Sequence, residues 1–84
     1  MFYVYIIYSK KLRKRYVGYC ADLKNRINEH NGGESKFTSR GVPWILIYYE
    51  AFLNEVDARR EERFLKTGKS RERLKFLLSD YGYE

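Results

Sequence analysis

Two aromatic-rich runs only a few residues apart constrain this chain more than any other feature. Residues 2–8 read FYVYIIY. Aromatic and β-branched side chains suit a pleated, half-buried surface, so the run predicts a strand. Tyr3, Tyr5 and Ile7 fall on one face of it, and Phe2, Val4, Ile6 and Tyr8 on the other. The segment SKKLRKR follows, with five basic residues among the six from Lys10 to Arg15. Residues 15–19 (RYVGY) then read as a second strand, which makes the pair a hairpin with a basic tip. Gly18 inside that strand marks a bulge, or a close approach by another backbone or a ligand. Tyr3, Tyr5 and Tyr16 are candidates to share one sheet face, as a row of half-buried strand aromatics or as part of a site. Sequence leaves the register open.

The remaining elements follow from caps and periodicity. Asp22 is placed to cap a helix carrying Leu23 and Ile27, which ends near Asn31, Gly32 and Gly33. After a polar loop, residues 43–50 (PWILIYYE) predict a third strand, whose continuous apolar run suggests burial on both faces. Asn54 is placed to cap a second helix from 55 to about 67, stopped by Gly68. Ser70 is placed to cap a third, where Leu74, Leu77, Leu78 and Tyr81 keep the i, i+3, i+4, i+7 spacing of a core stripe. The expected fold class is α+β: a small three-stranded antiparallel sheet flanked by helices, in the order β-β-α-β-α-α. Eighty-four residues allow one domain, 1–84, with a core of marginal size.

Charge narrows the partners. Seventeen Lys and Arg against eleven Asp and Glu leave a net charge of +6, which favours anionic partners, nucleic acid before membrane surface. Nine tyrosines outnumber five phenylalanines and one tryptophan, and tyrosine serves both for stacking on bases and for contacting phosphates. A lone cysteine, Cys20, excludes an internal disulfide framework and a Cys-rich zinc site. With no apolar run near membrane-spanning length and no signal-peptide pattern, the expectation is a soluble, cytoplasmic protein without a membrane partner. P-loop, HExxH, G-x-S-x-G and dinucleotide fingerprints are all absent.

On the first helix Arg26 and His30 are i, i+4 neighbours bordering the Leu23/Ile27 stripe, close to where helix meets sheet. On spacing alone, an Arg26 laid over the core edge and a His30 closing the helix C-terminus are the favoured account of the pair. In the second helix Ala58, Glu62 and Leu65 lie on one side, with Glu61 close by. Periodicity brings a carboxylate to the core edge without choosing between Glu61 and Glu62. Such an acid needs a salt bridge or a metal.

Taken together, these residues resemble the GIY-YIG endonuclease domain, in particular its small single-domain members. Tyr3-Val4-Tyr5 stands where the family has Gly-Ile-Tyr, and Tyr16-Val17-Gly18 where it has Tyr-Ile-Gly. Arg26 follows the second motif tyrosine by ten residues, as the family arginine does, and His30 with Asn31-Gly32 fits the segment that often follows. Ala58, Glu62, Leu65 and Lys66 match the family pattern A-x-x-x-E-x-x-L-K, and that match selects Glu62 over Glu61 as the metal-binding acid. The sequence departs from the family at Tyr3, which replaces the first glycine, and at Tyr19, where repair-type members carry a lysine. Glu61 also replaces a frequently basic neighbour of the acid.

The resemblance implies a divalent-metal-dependent endonuclease, on DNA more than RNA, in a repair or processing role. Hydrolysis of the phosphodiester is then by an activated water with Mg²⁺ or Mn²⁺ held by Glu62, a hard oxygen ligand. Tyr16 is implied as general base. A free phenol titrates near about 10, so such a base needs positive charge nearby. Arg26 is implied as the cation that matches charge building on the phosphate, and Tyr5 as the group positioning water or phosphate. His30 is implied to relay a proton or hold Tyr16. Lys10, Lys11, Arg13, Lys14 and Arg15 of the hairpin, with Arg40, Lys69 and Arg71, are implied to grip the backbone without reading sequence. The alternative is a nucleic-acid-binding module on the same fold with little or no turnover; a protein-interaction domain explains the charge less well.

Overall fold

The computed structural model describes residues 1–78. Strands β1 (Phe2–Ser9) and β2 (Lys14–Cys20) form the expected antiparallel hairpin, β2 starting one residue earlier than its apolar content suggests. Helix α1 (Leu23–Asn31) follows, then a 3-10 turn (Ser39–Gly41), strand β3 (Trp44–Phe52) and helix α2 (Glu55–Leu65). A second 3-10 turn (Gly68–Ser70) leads into helix α3 (Arg71–Leu78). The three strands make one antiparallel sheet in the order β2-β1-β3. No helix among the described residues is long and apolar enough to cross a membrane.

Local chemistry sets the helix starts. Asp22 Oδ1 accepts from the Asn25 amide at 3.1 Å, and Asn54 Oδ1 accepts from the Val56 and Asp57 amides. These satisfy donors that an uncapped first turn leaves unpaired. Ser70 behaves differently from expectation. Its hydroxyl donates backward to the Leu65 and Thr67 carbonyls, closing the end of α2 instead of capping α3. Helix α2 accordingly ends at Leu65, two residues short of the predicted end.

The sheet separates two apolar layers. Val4 and Ile6 of β1 pack with Ile47, Ala58, Leu65, Leu74 and Leu78, under α2 and α3. Tyr5 and Ile7 pack on the opposite face with Cys20 and Trp44, where Leu23 and Ile27 of α1 cover them. Leu74, Leu77 and Leu78 join the first layer as the periodicity predicts, while Tyr81 lies outside the described residues. The strand buried on both faces is β1, not β3. Because β3 is an edge strand, helices cover it only in part, and Ile45, Leu46 and Tyr49 stay exposed. A bulge between Ile6 and Ile7 in the pairing with β3 leaves Ile47 as the extra residue and buries it beneath the helices.

An acidic pair sits at the junction of β3, α2 and α3. Glu50 reaches within 3.6 Å of Arg73, which also pairs with Glu61. Burial, then the hydrogen bond and charge of Glu61, push the Glu50 carboxyl up from its ordinary 4.5 to about 7. The folded state thus holds this proton more tightly than the unfolded chain. The stability it contributes is complete below about 4.5 and is lost as pH rises through about 7. Glu50→Gln, neutral throughout, should therefore exceed the parent in stability by about 1 kcal/mol near pH 8, after allowance for solvent screening, and converge with it toward about pH 5. Urea melts across that pH range test this; a gap independent of pH would assign the effect to something other than the titration.

Candidate active site

The hairpin register builds the first half of the site. Tyr5 lies opposite Gly18, Ile7 opposite Tyr16, and Tyr3 opposite Cys20. Directly opposed residues share a face, so Tyr3, Tyr5 and Tyr16 do line one side of the sheet. Gly18 is not a bulge. It leaves the space that the Tyr5 ring fills: a Cβ there would come within 2.2 Å of the Tyr5 hydroxyl oxygen. The close approach expected at this glycine is made by a side chain of the same protein.

Helix α1 supplies the second half. Its Asp22 cap fixes the helix start, and Leu23 and Ile27 hold it to the sheet, which turns Arg26 and His30 toward β2. Tyr16, Arg26 and His30 line one recess together with Glu29, Glu34 and Ser35. The Tyr16 and His30 rings meet edge to face with centroids 5.3 Å apart, and Trp44 stands 6.4 Å from Tyr16. Arg26 Nε donates to Glu29 Oε1 at 3.0 Å, and its Nη1 donates to the Tyr19 carbonyl at 3.4 Å.

His30 is buried and its two ring nitrogens are both engaged. Nε2 lies 2.7 Å from the Tyr5 hydroxyl, and Nδ1 lies 2.7 Å from Thr38 Oγ1. Burial, then the Arg26 charge, hold the imidazole below its ordinary pKa, so it stays neutral, one nitrogen donating and the other accepting. Burial, then the proximity of Tyr16, hold the Tyr5 phenol well above its ordinary value. Tyr5, His30 and Thr38 therefore form a chain of uncharged hydrogen bonds beneath the recess. Sequence reading did not single out Thr38; at position 38 of a polar loop it carries no periodic signal.

Glu62 enters from α2. Ala58 and Leu65 are buried and set the helix rotation, leaving Glu62 at the border of the core. Its Oε2 accepts from Lys66 Nζ at 2.8 Å, and that same ammonium lies 5.8 Å from the centroid of the Tyr16 ring. Lys66 thus bridges Glu62 to Tyr16. It closes the A-x-x-x-E-x-x-L-K pattern, the signal from which its place beside the site was readable. Glu61 points elsewhere, into the recess with Glu50 and Arg73. Tyr19 is also turned away, on the α2 side, where its hydroxyl donates to Glu55 Oε2 at 2.6 Å and the Arg59 guanidinium covers its ring.

The expected backbone-gripping cations fall into two groups. Arg15 and Arg71 line one recess with Lys66, which continues the basic edge away from Tyr16, and Lys69 is exposed on the turn between them. Lys10, Lys11, Arg13 and Lys14 are exposed at the hairpin tip and do not enter either recess. Leu12 packs against Gly41, whose missing side chain makes room for it and for Trp44, and this brings the tip beside exposed Arg40.

A divalent cation fits this donor set. Glu62 supplies one hard carboxylate, and no group of three or more acidic, His or Cys ligands occurs among the described residues. One carboxylate suits Mg²⁺ or Mn²⁺ that retains several waters and takes further oxygens from a phosphate.

Comparison with known proteins places the chain in a family. The family model of the GIY-YIG catalytic domain matches residues 1–75. A UPF0213 protein encoded in the ldhD 5′ region of Pediococcus acidilactici is 38% identical over 79 residues, covering 90% of this chain and 80% of that protein. A UPF0213 protein of Staphylococcus haemolyticus is 36% identical over 76 residues, covering 89% and 92%. One from Streptococcus agalactiae is 36% identical over 63 residues, covering 74% and 72%. No solved structure matches.

Proposed function

This chain belongs to the GIY-YIG catalytic-domain family, a family of nucleases, and from that membership we propose that it is a divalent-metal-dependent endonuclease acting on DNA in a repair or processing role. The observation that carries the reading is the meeting of Tyr16, Arg26 and His30 in one recess, with Lys66 over the Tyr16 ring and paired to Glu62. Tyr16 is the group that takes the proton of the attacking water. Arg26 and Lys66 are the cations beside it, placed to offset the negative charge that builds on the phosphate oxygens. Tyr5 and His30 hold the floor of the recess, and His30 sets the Tyr16 ring. Glu62 would hold the metal, which when bound supplies Lewis-acid polarisation of the phosphate and stabilises the leaving oxygen.

A Mn²⁺-dependent cleavage screen over duplex, nicked, flapped, branched and single-stranded DNA and over RNA tests the proposal, with Glu62→Gln as control. Lys66 engaging Glu62 is the observation that favours a second reading, a module that binds nucleic acid without cutting it. Binding with no cleavage of any substrate would select that second reading.

The binding mode carries its own prediction. The cations at the β2 edge and hairpin tip are exposed, as cations that meet backbone phosphates are, so affinity should be electrostatic and nearly indifferent to sequence. Engaging about five phosphates would give a slope of log K against log salt near −4.5 on duplex. Titrations of two unrelated duplexes at several salt concentrations check this. A flat salt response, or a strong preference for one duplex, would refute it.

A further inference from the structure

We propose that Phe37 is a base-stacking residue, presenting its ring beside the Tyr16–His30 recess to the face of an unstacked base in the bound strand; the inference rests on the nucleic-acid reading above and goes beyond it in naming the kind of strand preferred. Phe37 is 89% exposed, a large apolar ring set almost wholly in solvent. Solvent exposure of this kind is unremarkable on a loose loop, but this loop is tied down on both sides of the ring.

Thr38, the next residue, is fully buried. Its hydroxyl meets His30 Nδ1 at 2.7 Å, its carbonyl accepts from Trp44 Nε1 at 2.6 Å, and its amide donates to the Ser35 carbonyl at 3.2 Å. Ser39 donates from its amide to the Ser35 carbonyl at 2.9 Å and from its hydroxyl to the Lys36 carbonyl at 3.2 Å. With residues 35, 36, 38 and 39 fixed in this way, the backbone at 37 is held with its side chain outward. The anchoring Thr38 is the same residue that holds the floor of the recess, and Ser35 lines that recess beside Tyr16.

The surroundings identify the partner. Lys36 and Arg40 flank the ring in sequence and are exposed, so the apolar ring belongs to a loop that also offers cations to solvent. That combination matches a nucleic-acid strand, whose bases offer π-faces and whose phosphates flank them. A base inside a duplex is already stacked on its neighbours and offers no free face. The ring therefore favours a single strand, a flap or a frayed end over an intact duplex.

Binding measured in the presence of a chelator separates this from catalysis. The probes are a short labelled single strand and the blunt duplex of the same sequence. Phe37→Ala should weaken single-strand binding roughly 5- to 150-fold, the range of one aromatic–base stack, and weaken duplex binding much less. Phe37→Trp should restore it. A fluorescent base analogue in the strand should be quenched by the parent and by Phe37→Trp, and not by Phe37→Ala. Because no charge is removed, the salt slope of Phe37→Ala should equal that of the parent, whereas Lys36→Gln should lower it. Equal losses on both probes, or no loss on either, would overturn the inference while leaving the nuclease reading in place if the parent still binds. A parent that binds neither probe would overturn both.

Discussion

Glu62→Gln should leave a folded protein that still binds nucleic acid and no longer cuts it. The substitution keeps side-chain volume and removes the carboxylate proposed to hold the divalent cation. Losing several kcal/mol of charge stabilisation at the phosphate corresponds to a rate loss on the order of 10³-fold. The fold should hardly notice, because the pair with Lys66 joins side chains 19% and 46% exposed, on one helix at i, i+4. Such pairs contribute about 0.3–0.5 kcal/mol. Glu61→Gln is the control. Glu61 engages Arg73 in a different recess, so its loss should cost some stability and little rate. Single-turnover cleavage with Mn²⁺, alongside thermal melts of both variants, decides the matter. Should Glu61→Gln be the inactive variant, the acid assignment is off by one residue; should neither lose activity, Glu62 is not the ligand.

Tyr16→Phe should be almost as damaging to turnover and as quiet in the fold. The ring that packs on His30 and Trp44 is retained, and only the hydroxyl is lost. Removing a general base costs on the order of 10²–10⁴-fold. Arg26→Ala should lose on the order of 10²–10³-fold in the single-turnover rate at saturating protein, with a smaller change in affinity, since other cations still hold the backbone. If Arg26 were only a phosphate anchor, affinity would fall and the saturated rate would stand. The two substitutions are interpretable because Tyr16 is half-buried and the Arg26 side chain is 43% exposed. His30→Ala is a poorer probe of chemistry. It strands the buried Tyr5 hydroxyl and Thr38 Oγ1, at about 1–3 kcal/mol for each group left unpaired, so lost activity would be mixed with lost fold. Full single-turnover activity in Tyr16→Phe would remove the proposed base and put the binding-module reading ahead.

What could be read from the chain alone was local. Asp22 and Asn54 announce their helices because a cap is a contact made within three residues. The Leu74/Leu78 stripe and the Ala58/Glu62/Leu65 face follow from the turn of a helix, and the strands of the hairpin follow from β-branched and aromatic content. Arg26 and His30 are neighbours on any helix that contains both. Other features had no such local source. Backbone pairing is nearly indifferent to side chain, so the register that sets Tyr5 over Gly18 depends on how both faces of β1 are buried at once. The third strand shows the limit of a hydrophobic run as evidence: its apolar residues predict a strand, but only the order β2-β1-β3 makes it an edge with exposed Ile45 and Leu46. Periodicity left Glu61 and Glu62 equivalent, since they differ by a single step of helix rotation. Packing of Ala58 and Leu65 against the sheet separates them, directing one acid to Arg73 and the other to Lys66 beside Tyr16. Thr38 and Phe37 stand in a loop without period, where burial of one side chain and exposure of the next are set by residues distant in sequence: His30 beneath Thr38, and Trp44 against its carbonyl.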